Sequence, residues 1–368
     1  MKKIIPPVFH GGNLESASEQ YGFDPAEMVD FSANINWFGA PPQMSEAIER
    51  GLSLMKHYPD PASRNLIQAI ASAVNLPADN LLVGNGSIEL MYAFMRAVGK
   101  KRALVIEPTF SEYARAVQMV GGSIITYPLY GKNDWQINLK QLAKDLVDVD
   151  LVFICNPNNP TGQLIPRDDV VDFIFEAEKR GVVVALDEAF IDFVEDFSER
   201  TYSVLDLVTT CKNLVVFRSF TKFFAIPGLR LGFCAAHPGL IQEIAAQQEP
   251  WTVNCIAQSV GELIVSEELR SYRAQARAEL QRVRSEFSLT IQKKLALMNW
   301  GAVNFLLLDL GAQGRSAEIT QILGRRGILV RDCQPFGERF SRYIRVAVRS
   351  PRENLRLLQE LAVILERD

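Results

Sequence analysis

The chain has 368 residues, 48% of them hydrophobic and 22% charged, which is enough to bury a large core and predicts two domains. Its formal net charge of -4 and its pI near 5.6 offer no broad basic surface for nucleic acid, so we expect a small-molecule partner. No apolar run reaches the roughly 18 residues of a membrane helix, and the five cysteines form no C-x-x-C pair, so we expect no membrane partner, no metal and a cytoplasmic location.

Residues 1–40 are rich in Gly, Pro and Asn, which predicts an irregular N-terminal arm that contributes to a small domain and to the active site. Over residues 41–257, short apolar runs alternate with amphipathic segments, as in parallel strands buried on both faces. The predicted strands are 81–83, 103–106, 151–154, 182–186 and 214–217, and the predicted helices are 88–98, 111–120 and 168–180. This alternation predicts a large α/β domain around a mostly parallel sheet, with the ligand at the carboxyl ends of the strands.

Residues 258–368 show a different pattern. The charged amphipathic segment 268–294 predicts a linking helix, and the apolar runs 303–310 and 343–348 predict strands among helices. We therefore expect this part of the chain to form the linking helix and a smaller α+β domain.

Two loops that follow predicted strands carry candidate binding groups. Gly84-Asn-Gly-Ser-Ile-Glu89 joins a strand to a helix, so the backbone amides of Gly86, Ser87 and Ile88 can hold a phosphate, helped by the helix dipole. By itself such a glycine loop is more often a simple turn. Asn156-Pro-Asn-Asn-Pro-Thr-Gly162 is a turn on any interpretation, and Asn159 within it is a candidate donor to a ligand oxygen.

Charged residues follow the next two strands. Asp187 ends the run 182–186, where an aspartate commonly serves only to cap a turn. Lys222, in Ser219-Phe-Thr-Lys222, is expected in a cleft after strand 214–217, where desolvation makes an amine nucleophilic. Arg230 lies eight residues later and can add a cation at a bound phosphate. An isolated lysine or arginine is usually a surface residue, so the argument depends on the order of the motifs.

In that order, the Gly loop, N-P-T-G, Asp-Glu-Ala, S-x-T-K and Gly-Leu-Arg resemble the class I/II aminotransferase family of fold-type-I pyridoxal-phosphate enzymes, over nearly the whole chain. The resemblance implies that pyridoxal 5'-phosphate is attached to Lys222, with Asp187 at the ring nitrogen and Asn159 at the ring oxygen. The cofactor-binding residues that it implies are Tyr58, Gly86, Ser87, Ile88, Phe110, Asn159, Asp187, Ser219, Thr221, Lys222 and Arg230.

Two of these roles, and the oligomeric state, depend on the resemblance alone. Phe110 falls where family members stack an aromatic ring on the cofactor, although a phenylalanine can equally be a core residue. The family forms homodimers in which a tyrosine reaches the cofactor phosphate of the neighbouring subunit, and Tyr58 in His57-Tyr-Pro-Asp60 matches that motif. We therefore expect a homodimer with shared active sites.

Within the family, four segments are most similar to members that decarboxylate a phosphorylated amino acid, and next to histidinol-phosphate aminotransferases. These segments are His10-Gly-Gly-Asn13, Asp30-Phe-Ser-Ala-Asn-Ile-Asn36, Asp187-Glu-Ala-Phe-Ile-Asp-Phe193 and Tyr343-Ile-Arg-Val-Ala-Val-Arg-Ser350. The resemblance implies that Arg345 binds the substrate carboxylate, assisted by Asn159. It also implies that His10, Asn34 and Arg331 bind the substrate phosphate, although an arm histidine and a strand-edge arginine often have no such role.

Phe190 departs from the aminotransferase pattern, because many relatives have a tyrosine there whose hydroxyl binds the ring oxygen. The decarboxylases of the family share the phenylalanine. Phosphothreonine and phosphoserine differ by one methyl group, so both remain possible substrates. The same motifs are also compatible with an aminotransferase that acts on histidinol phosphate, or with a non-catalytic regulator that binds the cofactor.

Overall fold

The computed structural model describes residues 11–130, 134–198, 201–311 and 314–365. The strands are β1 (Val29–Asp30), β2 (Leu81–Gly84), β3 (Arg102–Glu107), β4 (Ser123–Pro128), β5 (Leu151–Cys155), β6 (Val183–Asp187), β7 (Leu214–Ser219), β8 (Gly232–Ala236), β9 (Asn299–Trp300), β10 (Phe305–Asp309), β11 (Ile328–Leu329), β12 (Arg331–Asp332) and β13 (Tyr343–Ala347). The helices are α1 (Leu14–Tyr21), α2 (Met44–Ser53), α3 (Arg64–Val74), α4 (Ser87–Val98), α5 (Glu112–Met119), α6 (Leu139–Lys144), α7 (Arg167–Lys179), α8 (Pro238–Ala245), α9 (Cys255–Val265), α10 (Arg270–Thr290), α11 (Ser316–Gly324) and α12 (Pro351–Ile364).

The largest sheet has the strand order β2-β8-β7-β6-β5-β3-β4. Strands β4, β3, β5, β6 and β7 are parallel, and β8 runs antiparallel to both β7 and β2. The register places Cys155, Asp187 and Phe217 side by side at the carboxyl ends of β5, β6 and β7. The loops that leave these three strands therefore start at one edge of the sheet, where the sequence predicted the ligand.

Alternate side chains of the central strands enter two separate cores. Val152 and Ile154 pack in one cluster, and Phe153 packs in the other. Burial on both faces explains the nearly continuous apolar runs of these strands. The five strands and three helices predicted for residues 41–257 are confirmed, with ends that differ by one or two residues.

Two strands of this sheet were not predicted. Strand β4 lies at the edge, where its side chains are only partly covered, so its sequence lacks a strong apolar run. Strand β8 is fully buried but consists largely of small residues, Gly232-Phe-Cys-Ala-Ala236, which do not form the branched apolar run typical of a strand.

The C-terminal part forms a separate antiparallel sheet with the order β12-β13-β10-β9. Leu306, Leu308, Ile344 and Val346 pack on one face of it against Leu357 of α12 and its neighbours. The predicted linking helix is confirmed as α10, which a π-helical turn (Ile291–Leu295) continues, and the predicted strands 303–310 and 343–348 are confirmed as β10 and β13.

The N-terminal segment is more regular than expected. Asn13 caps α1 by accepting from the Ser16 amide, and β1 pairs in parallel with β11. The expectation of an irregular arm is therefore wrong for residues 14–21 and 29–30. The boundaries at residues 40 and 257 remain a prediction. In the part of the chain that the structure describes, no helix has the length and apolarity needed to cross a membrane.

Candidate active site

A cavity of about 430 Å³ opens where the loops after β5, β6 and β7 meet the start of α4 and the C-terminal sheet. Its lining includes most of the residues that the sequence pointed to. These are Asn34, Ser87, Ile88, Phe110, Asn159, Asp187, Ser219, Thr221, Lys222, Arg230, Arg331 and Arg345. The fold thus gathers into one cavity residues that are spread over more than 300 positions of the sequence.

Lys222 lies three residues beyond the end of β7. Its Nζ donates to Ser219 Oγ at 3.3 Å and lies 5.1 Å from the ring centroid of Phe190. Burial lowers the pKa of Lys222; Arg230 and Arg345 lower it further, whereas Asp187 raises it. An amine with a lowered pKa is more often unprotonated, so Lys222 has the properties of a nucleophile.

Asp187 ends β6 with only 5% of its surface exposed. Its Oδ1 accepts from the Ala189 amide at 2.9 Å, and its Oδ2 accepts from the Tyr113 hydroxyl at 2.6 Å. Burial raises the pKa of Asp187, while the hydrogen bond from Tyr113 and the charge of Lys222 lower it. The carboxylate can therefore pair with a cationic group that enters the cavity.

The start of α4 lies directly beside a guanidinium group. Gly86 precedes the helix with φ +82° and ψ 156°, and a Cβ built on it would lie 2.5 Å from Arg230 Nη2. The close packing that glycine permits brings Arg230 next to the start of the helix, where the first backbone amides, those of Ser87 and Ile88, have no partner within the helix itself. Amides at a helix start and an arginine beside them are the groups that bind phosphate.

Arg345, in the middle of β13, is buried at the other side of the cavity. Its Nη1 donates to Asn159 Oδ1 at 2.6 Å, and its Nη2 donates to the Ser32 carbonyl. Because the Asn159 oxygen accepts from Arg345, the amide nitrogen of Asn159 is the end that can donate to a ligand. Burial lowers the pKa of Arg345 to about 10, so the guanidinium remains positively charged at neutral pH.

A second arginine lies beside Arg345. Arg331 of β12 and Arg345 of β13 are paired in the register of the two strands, and both line the cavity. The Arg331 guanidinium lies 5.8 Å from the Phe336 ring centroid, and burial lowers its pKa. Asn34 is buried nearby with no protein partner for its Oδ1 among the described residues.

Two predicted site residues among those that the structure describes, Gly86 and Tyr58, do not line this cavity. Tyr58 is 80% exposed and stacks on Trp251, with ring centroids 4.7 Å apart, so it lies outside the cavity of its own chain. His10 lies outside the described residues. Phe110 does line the cavity, with its ring edge-on to Tyr113.

Sequence reasoning missed several residues around the cavity, and three of them bear on its chemistry. Tyr113 hydrogen-bonds Asp187, whereas Arg115 and Phe336 line the cavity wall. Tyr113 and Arg115 lie on α5, whose amphipathic pattern does not distinguish a side chain that faces a core from one that faces a ligand.

The whole chain can be compared with known proteins. The family model "Aminotransferase class I and II" matches residues 26–361. A putative threonine-phosphate decarboxylase of Caldanaerobacter subterraneus subsp. tengcongensis is 36% identical, over 98% of this chain and 95% of its own length. The threonine-phosphate decarboxylase of Salmonella typhimurium is 33% identical, over 97% of this chain and 96% of its own.

Among solved structures, the histidinol-phosphate aminotransferase of Clostridium acetobutylicum superimposes with a TM-score of 0.84 at 26% identity. The match covers 91% of this chain and 98% of that one. Since the family model spans most of the sequence and the relatives align over nearly their full lengths, the chain belongs to the aminotransferase class I and II family of pyridoxal-phosphate-dependent enzymes.

Proposed function

We propose that this enzyme uses pyridoxal 5'-phosphate to decarboxylate L-threonine O-3-phosphate, forming (R)-1-aminopropan-2-yl phosphate for the nucleotide loop of cobalamin. The observation that carries the proposal is the pair of neighbouring arginines, Arg331 and Arg345, in the same cavity as Lys222. One arginine suffices for the carboxylate of an amino acid, so a second arginine in the same cavity supports a substrate with another anionic group. The two relatives named for this activity support the same substrate.

The cavity fits the cofactor. Asp187 would pair with the ring nitrogen and Asn159 would donate to the ring oxygen, with Phe110 against the ring. The first-turn amides of α4, with Arg230, Ser219 and Thr221, would bind the phosphate, and the lack of room for a Cβ at Gly86 supports that assignment. When bound at Lys222, the cofactor supplies an electron sink for the bond that breaks at the substrate α-carbon.

The residues of the chain would select which bond breaks. Arg345 binds the α-carboxylate, while Arg331 and Asn34 bind the substrate phosphate, so both ends of the substrate are held. Because a substrate held at both ends cannot rotate about its α-carbon, the site can fix which bond at that carbon is aligned for cleavage. We propose that this is the bond to the carboxylate. Lys222, which Ser219 Oγ holds at 3.3 Å, then returns a proton to the α-carbon. His10, from the same motif as Asn34, completes the proposed phosphate site.

The test is product analysis with the purified, cofactor-loaded enzyme. We expect L-threonine O-3-phosphate to release carbon dioxide without any keto-acid acceptor, and we expect less or no release from O-phosphoserine. If phosphoserine reacts faster, the decarboxylase assignment stands but the substrate is wrong. The second candidate, supported by the superimposed aminotransferase, is transamination of histidinol phosphate. Turnover of histidinol phosphate that requires an acceptor would reject decarboxylation.

We further propose a homodimer in which Tyr58 reaches the cofactor phosphate of the neighbouring subunit. The exposure of Tyr58 supports this, because a side chain that serves another subunit must project from its own. Sedimentation analysis should show that the wild-type protein is a dimer. Tyr58→Phe should weaken cofactor binding but remain a dimer. A monomer with full cofactor affinity would contradict the proposal. The five free cysteines support a reducing compartment, so we place the enzyme in the cytoplasm.

A further inference from the structure

A buried tyrosine supports the carboxylate that faces the cofactor site. Tyr113 of α5 is fully buried, and its ring lies parallel to that of Phe153 on β5, with centroids 5.1 Å apart and planes 5° from parallel. The ring of Phe110 meets it edge-on at 5.6 Å. These contacts fix the position of the tyrosine ring, and its hydroxyl donates to Asp187 Oδ2 at 2.6 Å.

The hydrogen bond matters because, among the described residues, the Ala189 amide is the other donor that the Asp187 carboxylate accepts from. One carboxylate oxygen accepts from the Ala189 amide, and the charged or titratable side chains around it are Tyr113, Cys155 and Lys222. Burial raises the pKa of Cys155 to about 12, so this thiol is neutral. Tyr113 is therefore the side-chain donor that stabilises the ionised carboxylate.

We propose that Tyr113 is a positioning residue whose hydroxyl holds Asp187 in place and keeps it an acceptor for a protonated cofactor ring nitrogen. The inference rests on the proposed cofactor role of Asp187. A buried carboxylate that loses one of its donors binds a proton more strongly. It would then compete with the ring nitrogen for the proton that the two share.

Tyr113 itself is suited to donate without losing its proton. Burial raises the pKa of its hydroxyl well above the usual value, and the nearby charge of Asp187 raises it further. The proton of this hydroxyl therefore stays on Tyr113 while its hydrogen bond stabilises negative charge on Asp187. The proton that Asp187 and the ring nitrogen of a bound cofactor would share is therefore expected to stay on the ring nitrogen.

The test follows the ring nitrogen directly, in the full-length enzyme loaded with pyridoxal 5'-phosphate labelled with nitrogen-15. At neutral pH we expect the wild-type resonance at the position of a protonated pyridine. In Tyr113→Phe it moves toward the neutral position, and the Kd for the cofactor rises about tenfold, as expected for one lost hydrogen bond to a charged group. The matched control is Tyr272→Phe, which removes another buried hydroxyl that donates to the Gly39 carbonyl, outside the cavity. Neither measurement should change in the control.

Two further variants separate positioning from a structural effect. In an Asp187→Asn background, Tyr113→Phe is expected to add no further change, because the tyrosine acts through the carboxylate. A 3-fluorotyrosine at position 113 retains the ring and donates more strongly, so the pH at which the ring nitrogen loses its proton should rise, whereas in Tyr113→Phe it should fall. This variant also tests the inference if Tyr113→Phe does not fold.

The outcomes distinguish this inference from the proposed function. A protonated nitrogen in the wild type that is unmoved in the Tyr113 variants, with unchanged cofactor affinity, overturns the role of Tyr113 alone. A wild-type enzyme that binds no cofactor overturns the proposed function and the inference with it.

Discussion

Replacing Gly86 by alanine tests whether the start of α4 and Arg230 together bind the cofactor phosphate. Gly86 has φ +82° and ψ 156°, a region that residues with a side chain almost never adopt. A Cβ at this position would lie 2.5 Å from Arg230 Nη2 and 3.1 Å from its Cζ. The substitution therefore strains the backbone and displaces the guanidinium.

The two effects have different magnitudes and different consequences. Backbone strain of this kind destabilises the fold by about 1–3 kcal/mol whether or not a ligand is present. Displacing Arg230 removes a charge-assisted hydrogen bond to the phosphate worth about 1.5–3 kcal/mol. That loss corresponds to a rise of about 10- to 150-fold in the Kd for pyridoxal 5'-phosphate.

Gly99, at the other end of the same helix, provides the matched control. It has φ 72° and ψ -156°, and a Cβ there would meet no atom within 4 Å. We expect Gly86→Ala and Gly99→Ala to lower the urea midpoint of the cofactor-free protein by similar amounts. Cofactor affinity, measured by equilibrium titration, is expected to fall only in Gly86→Ala. Equal affinities in the two variants would refute phosphate binding at this helix start.

Three further substitutions test other parts of the cavity. Arg331→Gln is expected to raise KM for phosphothreonine about 10- to 100-fold, because a charge-assisted hydrogen bond to the substrate phosphate is lost. Arg331→Lys should have an intermediate effect. Unchanged kinetics would exclude phosphate binding by Arg331. Phe190→Tyr is expected to move the pH midpoint of the visible absorbance of the cofactor-bound enzyme downward, because the new hydroxyl can donate to the ring oxygen; an unmoved midpoint would contradict this. Lys222→Met is expected to stabilise the cofactor-free protein against urea, since burial lowers the pKa of Lys222 from 10.5 and so disfavours its charged form in the fold. Between the lowered pKa of Lys222 in the folded protein and 10.5 in the unfolded chain, the unfolded chain binds more protons, so the free energy of unfolding of the wild type rises with pH. The stability advantage of Lys222→Met should therefore shrink toward pH 10.5. An advantage that does not vary with pH would refute this explanation.

The parts of the fold that could be predicted are those whose sequence pattern is local. Strands β5, β6 and β7 are continuous apolar runs, and Asp187 and Lys222 were predicted as site residues because they follow such runs and match the order of the family's motifs. The contact between Tyr113 and Asp187 joins residues 74 positions apart and arises only when α5 packs on the sheet. Strand β8 was missed because its small side chains are selected by close packing between neighbouring elements, which has no periodic signature.

The charge of the cavity links stability to function. Arg115, Lys222, Arg230, Arg331 and Arg345 line it, together with the acids Glu112 and Asp187. Burial leaves the positive charges of Lys222, Arg331 and Arg345 poorly solvated in the fold, and it therefore lowers the pKa of each group. Cations held together in this way repel one another and destabilise the ligand-free protein. A cofactor phosphate at Arg230 and a substrate with two anionic groups at Arg331 and Arg345 would relieve that repulsion, so residues that disfavour folding would be the ones that select a doubly anionic substrate.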